Sequence, residues 1–302
     1  MFRLFIFLIV LHQDSLVSTL MTPSPDDPCS GMGGFQFRET CYLVFEDTFD
    51  VIGAMEDCFE KDGDLVIIED VAEQLFLNHL MSNADTHFWI SLFRERNGVF
   101  YWMGGKPLTY TNWGRNQPGL PMTFLEYSLG SECFAMSSSG LWYADDCRRS
   151  HSYICEVNQG HTFPPPVEPL QGSCPANSQL WEDIGDRYCY MFTAEATQWQ
   201  NANEKCSQKG GNLASIHTTE ELKGISEYVN KSEPFFIGLT RNSHGGFAWT
   251  DGSPVNMVRW EENGTQSNLN CIEMRADTSN WKIVNCDESR GFLCSIEKEI
   301  VN

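Results

Sequence analysis

The sequence predicts an α+β fold built twice in tandem, each copy with two helices, a small antiparallel sheet region, a long loop region and three disulfides. Three observations predict it: two matched sets of six cysteines, landmarks that recur in the same order, and helix signals that precede strand signals in each half. The sets are Cys29, Cys41, Cys58, Cys133, Cys147, Cys155 and Cys174, Cys189, Cys206, Cys271, Cys286, Cys294. Sixteen residues lie between the second and third cysteines of each set, and seven between the fifth and sixth. Two independent spacings that match mark a duplicated unit.

The elements follow in chain order. A first helix is expected over Ile52 to Lys61 and again over Trp199 to Lys209, each carrying one cysteine on a mostly polar stretch. A second helix begins at Asp70-x-x-Glu73 and at Thr218-x-x-Glu221, where a side-chain oxygen and a carboxylate three residues later satisfy the open N–H groups of a helix start. Short strands rich in aromatic and β-branched residues come next: His87 to Leu92, Phe235 to Leu239, Ser152 to Glu156 and Gly291 to Ser295. Trp102, Trp113 and Trp142 recur as Trp249, Trp260 and Trp281. These signals place one unit at 29–157 and the other at 174–298. The spacer between them, 158–173, holds Pro164, Pro165 and Pro166 and reads as extended and semi-rigid.

Residues 1–20 carry Arg3 and then the apolar run Leu4 to Leu11, a signal-peptide core too short to span a bilayer. A secreted, extracellular chain without membrane insertion is the expectation, and in that compartment an even number of cysteines reads as disulfides. Asn230-Lys231-Ser232 and Asn263-Gly264-Thr265 are glycosylation sequons. The formal net charge of -21 argues against a nucleic-acid partner held by basic patches. No hydrolase elbow, zinc-protease motif or phosphate-cradling loop occurs, and the seven histidines are scattered, so an enzyme is not expected.

With the six cysteines per unit, the strands FWISL and FFIGL, and a tryptophan five residues ahead of a cysteine in WYADDC and WKIVNC, the chain resembles tandem C-type lectin-like domains. It also resembles secreted invertebrate, nematode-type members linked to innate defence. The resemblance implies the pairs Cys29–Cys41, Cys58–Cys155, Cys133–Cys147, Cys174–Cys189, Cys206–Cys294 and Cys271–Cys286. Spacing alone leaves fifteen pairings open in each unit.

The resemblance also implies where a sugar-binding calcium ion sits: a Glu-Pro-Asn or Gln-Pro-Asp triplet, a downstream glutamate and a Trp-Asn-Asp strand. Such a site suits Ca²⁺, which takes six to eight hard oxygen ligands. In the first unit Gln117 and Pro118 fill the first two triplet positions, but Gly119 brings no oxygen, and the strand reads Trp142-Tyr143-Ala144. The oxygen donors left are Gln117, Glu126 or Glu132, and Asp145 beside the strand. In the second unit the strand reads Trp281-Lys282-Ile283, and the oxygen-rich candidate Gln266-Ser267-Asn268 lacks the proline. The expectation is therefore recognition of a glycan, protein or microbial-surface ligand with no cofactor; calcium-dependent sugar binding by a degenerate first-unit site is the alternative. Trp113, Gln117, Phe124, Tyr127 and Tyr143 are the ligand-contact candidates, with core packing the competing role for Trp113. Exposed loops on two units joined by a stiff spacer suggest binding reinforced by avidity.

Overall fold

A computed structural model describes residues 29–82, 84–95, 97–119, 132–158, 172–175, 181–184, 187–229, 233–261 and 269–300. The leader, the prolines of the spacer and both sequons lie outside the described residues. The first unit runs β1 (Phe35–Phe37), β2 (Thr40–Phe49), α1 (Val51–Phe59), β3 (Asp64–Leu65), α2 (Val71–Leu80), β4 (His87–Arg94), β5 (Phe100–Trp102), β6 (Glu132–Ser137), β7 (Trp142–Asp145) and β8 (His151–Asn158). The second repeats the plan: β9 (Gly172–Ser173), β10 (Glu182–Asp183), β11 (Tyr188–Thr197), α3 (Trp199–Gln208), β12 (Asn212–Leu213), α4 (Thr219–Val229), β13 (Phe235–Arg241), β14 (Phe247–Trp249), β15 (Cys271–Met274), β16 (Trp281–Val284), β17 (Arg290–Glu297) and β18 (Glu299–Ile300). The two sheets have equivalent orders, β1-β2-β8-β4-β6-β7 and β10-β11-β17-β13-β15-β16.

The helix starts follow from their caps. The Asp50 carboxylate accepts from the Gly53 amide at 2.8 Å and sets the beginning of α1 one residue earlier than the sequence pattern suggests. This helix ends at Phe59, two residues short of expectation, and Asp62 turns the chain with a positive φ of 57°. At α2, Asp70 accepts from Ala72 and Glu73. At α4 the box is reciprocal: the Glu221 amide donates to Thr218 Oγ1 at 3.1 Å, and the Thr218 amide donates to Glu221 Oε2 at 3.2 Å. Strand β4 is buried along almost its whole length because it lies inside the sheet, parallel to β8 and antiparallel to β6. Pairing with β6 carries it on to Arg94, beyond the expected end at Leu92.

Each unit holds three disulfides: Cys29–Cys41, Cys58–Cys155 and Cys133–Cys147, then Cys174–Cys189, Cys206–Cys294 and Cys271–Cys286. Cys58–Cys155 fastens α1 to β8 across 97 residues of sequence, and closing a loop of that length constrains the unfolded chain by about 4–5 kcal/mol. Under α1 and α3 lie separate small clusters around these bridges, whereas the largest apolar cluster contains residues of both units.

One buried acid in the first unit makes stability depend on pH. Glu156 on β8 is 5% exposed and accepts from the Ile67 amide at 3.1 Å. Burial pushes its carboxyl up to about 8; the Ile67 amide and Lys106 only partly oppose this, and Glu73 and Glu69 add to it. The folded form thus holds a proton at neutral pH that the unfolded chain releases, so this stability is complete in acid and is lost as pH rises through the folded pKa. Between pH 7 and pH 9 urea denaturation should show a loss of about 1.4 kcal/mol, and Glu156→Gln, which cannot ionise, should abolish that part of the slope.

Candidate functional site

The stretch from Asn112 to Gly119 is built around Trp113, whose backbone bridges Trp142 on β7. The Trp142 amide donates to the Asn112 carbonyl and the Gly114 amide to the Trp142 carbonyl, both at 2.9 Å. The Trp113 ring packs on Phe100, Phe134 and Trp142 at centroid distances of 5.0–5.6 Å, and the residue is 1% exposed. It is a core residue and presents no face to a ligand. A Cβ at Gly114 would lie 2.2 Å from the Tyr143 ring, so a larger residue there would have to displace that side chain. Asn116 takes a positive φ of 61° and the Gln117–Pro118 bond is cis.

The described candidate oxygens near this loop are committed elsewhere. Gln117 Oε1 accepts from the Gly119 amide at 3.1 Å. Glu132 is wholly buried, points inward from β6 and pairs with the equally buried Arg94, whose Nη1 donates to the Gly119 carbonyl at 2.7 Å. As a candidate calcium ligand Glu132 is therefore corrected: its carboxylate neutralises a core cation. Asp145 bonds His151 Nε2 at 2.8 Å, Arg149 at 3.1 Å and its neighbour's amide. Burial raises the Asp145 carboxyl, but His151, the Asp146 amide and Arg149 outweigh it and hold the group below its ordinary range. Asp146 is held down to about 2, chiefly by the Arg148 guanidinium. In the second unit Lys282 is exposed and Ile283 is buried, and neither side chain carries an oxygen. Phe124, Glu126, Tyr127 and Gln266-Ser267-Asn268 lie outside the described residues. No cluster of three or more metal-ligating side chains occurs among the described residues.

The two loop regions do not stand apart in solvent; they face each other. Asn116 donates its amide to the Gly245 carbonyl and Phe247 donates to the Gln117 carbonyl, both at 2.9 Å. On the other side of the seam, Val99 bridges Met257, with Phe100 donating to the Asn256 carbonyl at 2.9 Å and Val258 to the Gly98 carbonyl at 3.1 Å. The indole N–H of Trp113 reaches the Val255 carbonyl at 3.2 Å, and that of Trp260 reaches the Pro118 carbonyl at 2.9 Å. Val255, Met257 and Val258 are buried in the shared apolar cluster. The expectation of freely exposed loops on two independent units is thus corrected, because the apolar loop segment of the second unit needs the first unit's hairpin to leave water.

Comparison with known proteins agrees with this architecture. The profile of the Lectin C-type domain matches twice, over residues 50–157 and 195–296. The chain belongs to the C-type lectin domain family. C-type mannose receptor 2 of Mus musculus is 29% identical over 272 residues, covering 86% of this chain and 18% of the receptor. Lymphocyte antigen 75 of Homo sapiens is 26% identical over 282 residues, covering 89% of this chain and 15% of that protein. The chain thus spans less than a fifth of the length of these relatives. Among solved structures, a calcium-independent type II antifreeze protein is 30% identical, with a TM-score of 0.37, over 42% of this chain and 97% of its own. The cow CD23 carbohydrate-recognition domain, solved in the presence of a GlcNAc2Man3 oligosaccharide, is 26% identical, with a TM-score of 0.38, over 42% and 98%.

Of the first lectin unit's contact candidates, Tyr143 remains half-buried against Gly114, 6.3 Å from the His87 ring, while Gln117 is drawn into the seam. Sequence reasoning missed Arg115 and Arg241, which line one cleft where the lectin units meet. A signal for the seam was present in Val255-Asn256-Met257-Val258, a mostly apolar run in what reads as a loop.

Proposed function

We propose that the chain is a secreted, glycosylated, non-catalytic recognition protein that takes a glycan, protein or microbial-surface ligand without the standard calcium site. One observation carries this reading: among the described residues, the oxygens that would hold the ion in the first unit are replaced or already bonded, Gln117 to a backbone amide and Glu132 to Arg94. The name of C-type mannose receptor 2 favours a sugar among the ligand classes. The leader at 1–20 supports secretion, and the sequons at Asn230 and Asn263 support glycosylation.

Calorimetry of the secreted chain in calcium and in chelator tests this. A bound ion at a hundred times its dissociation constant adds about 2.7 kcal/mol to stability. The expected midpoints coincide, and glycan capture persists in chelator. A midpoint raised by calcium, with capture lost in chelator, returns the function to a calcium-dependent lectin.

A further inference from the structure

A cleft of about 550 Å³ opens where the two units meet, lined from the first unit by Arg115 and Asn116 and from the second by Arg241, Asn242, His244 and Asn270 among others. No acid is among its described lining residues, in a chain of formal net charge -21. We infer that this cleft binds a sugar carrying a sulfate ester, held by the exposed Arg115 guanidinium beside the seam-anchored charge of Arg241. The inference rests on the calcium-free reading and names the ligand class for it.

The cleft is preorganised. Arg241 Nη1 donates to Asn116 Oδ1 and to the Gly245 carbonyl, both at 2.8 Å, and its Nε donates to the Leu269 carbonyl at 3.0 Å. Its guanidinium also lies 4.6 Å from the centre of the Phe247 ring. The hairpin below is fixed by Asn242, whose Oδ1 accepts from the His244 and Gly246 amides at 3.0 Å each. The Arg115 stem runs alongside Gly245, and the residue is exposed.

The exposed Arg115 and the half-buried Arg241 repel, and an anion beside them relieves that repulsion. Burial, and then the Arg115 charge, press the Arg241 guanidinium below its ordinary pKa. A sulfate ester stays ionised at all physiological pH, and its oxygens suit the planar fork of Arg115; Arg241, whose Nε and Nη1 are bonded within the seam, contributes its charge. The volume fits a small ligand, and the amides of Asn116, Asn242 and Asn270 suit ring hydroxyls. A long polyanion is opposed by the acidity of the rest of the chain, which selects a short ligand with one or two charged groups.

The test titrates the full secreted chain in chelator, by calorimetry or ligand-observed NMR, with N-acetylglucosamine 6-sulfate, N-acetylglucosamine, glucuronic acid and inorganic sulfate. The sulfated sugar should bind, and the other three should bind more weakly by roughly tenfold or more, the loss that goes with one charge-assisted contact. Arg115→Gln should weaken the sulfated sugar by about the same factor, and Arg115→Lys by less, with no fall in the unfolding midpoint because Arg115 is exposed and its charge only opposes Arg241. Equal binding of glucuronic acid, of neutral sugar or of free sulfate overturns the assignment. So does an Arg115→Gln variant that binds as the parent does, or the absence of binding at millimolar sulfated sugar. If chelator abolishes glycan capture the calcium-free reading itself fails; if capture survives chelator but ignores Arg115, only the seam site fails.

Discussion

Replacing Glu132 by alanine should lower the free energy of unfolding by about 3–5 kcal/mol, the cost of leaving a buried cation without its counter-charge. Glu132 and Arg94 face each other across β6 and β4 with both side chains fully buried, and the Arg94 guanidinium also lies 5.3 Å from the Phe100 ring centre. Denaturant unfolding with disulfides intact measures the loss. Two further results separate a structural pair from a metal ligand. The loss should be the same in calcium and in chelator, and Arg94→Met with Glu132→Leu should recover most of it, since apolar residues of similar volume often replace a buried pair at little cost. A loss confined to calcium-containing buffer would give Glu132 back to the ion.

The fold was legible because its signals are local and repeated. Cap residues act within one turn, so Asp70 and Thr218 mark the starts of α2 and α4 directly. Aromatic and β-branched runs mark β4 and β13, although their ends depend on partner strands and extend to Arg94 and Arg241. The choice of cysteine partners was not in the spacings; it came with the family resemblance. What composition and pattern could not reach is the relation between the units. Trp113 carries the same residue type whether it stacks on a sugar or fills a core, and only its contacts with Phe100, Phe134 and Val255 decide. Glu132 likewise reads as a ligand until β6 aims it at Arg94, a partner 38 residues earlier in sequence, since 132 − 94 = 38. Arg115 and Arg241 are 126 residues apart, since 241 − 115 = 126, and meet only because the second unit's hairpin docks on the first unit's loop.

That docking has its own test. A Cβ at Gly246 would lie 2.4 Å from the Trp113 carbonyl oxygen and 2.7 Å from that of Gly114, both rigid backbone atoms of the other unit. At Gly98, with a φ of 90°, a Cβ would meet the Val258 carbonyl at 2.1 Å. Gly246→Val should therefore force the seam apart. The expected cost is about 1–3 kcal/mol from overpacking, and roughly 1 kcal/mol more for each of the Asn116–Gly245 and Phe247–Gln117 bonds that opens. Gly31→Val, where a side chain meets nothing within 4 Å, is the control and should be near neutral. In calorimetry the parent should unfold in one coupled transition, because its largest apolar cluster is shared, and the variant in two. Trp113 and Trp260, whose indole N–H groups cross the seam, should shift their emission to the red as water reaches them. The sulfated-sugar cleft should be lost at the same time, because its two arginines come from opposite sides. A Gly246→Val protein with the parent's single transition and emission would mean that the two units do not hold each other, and the shared surface would then have to be given up.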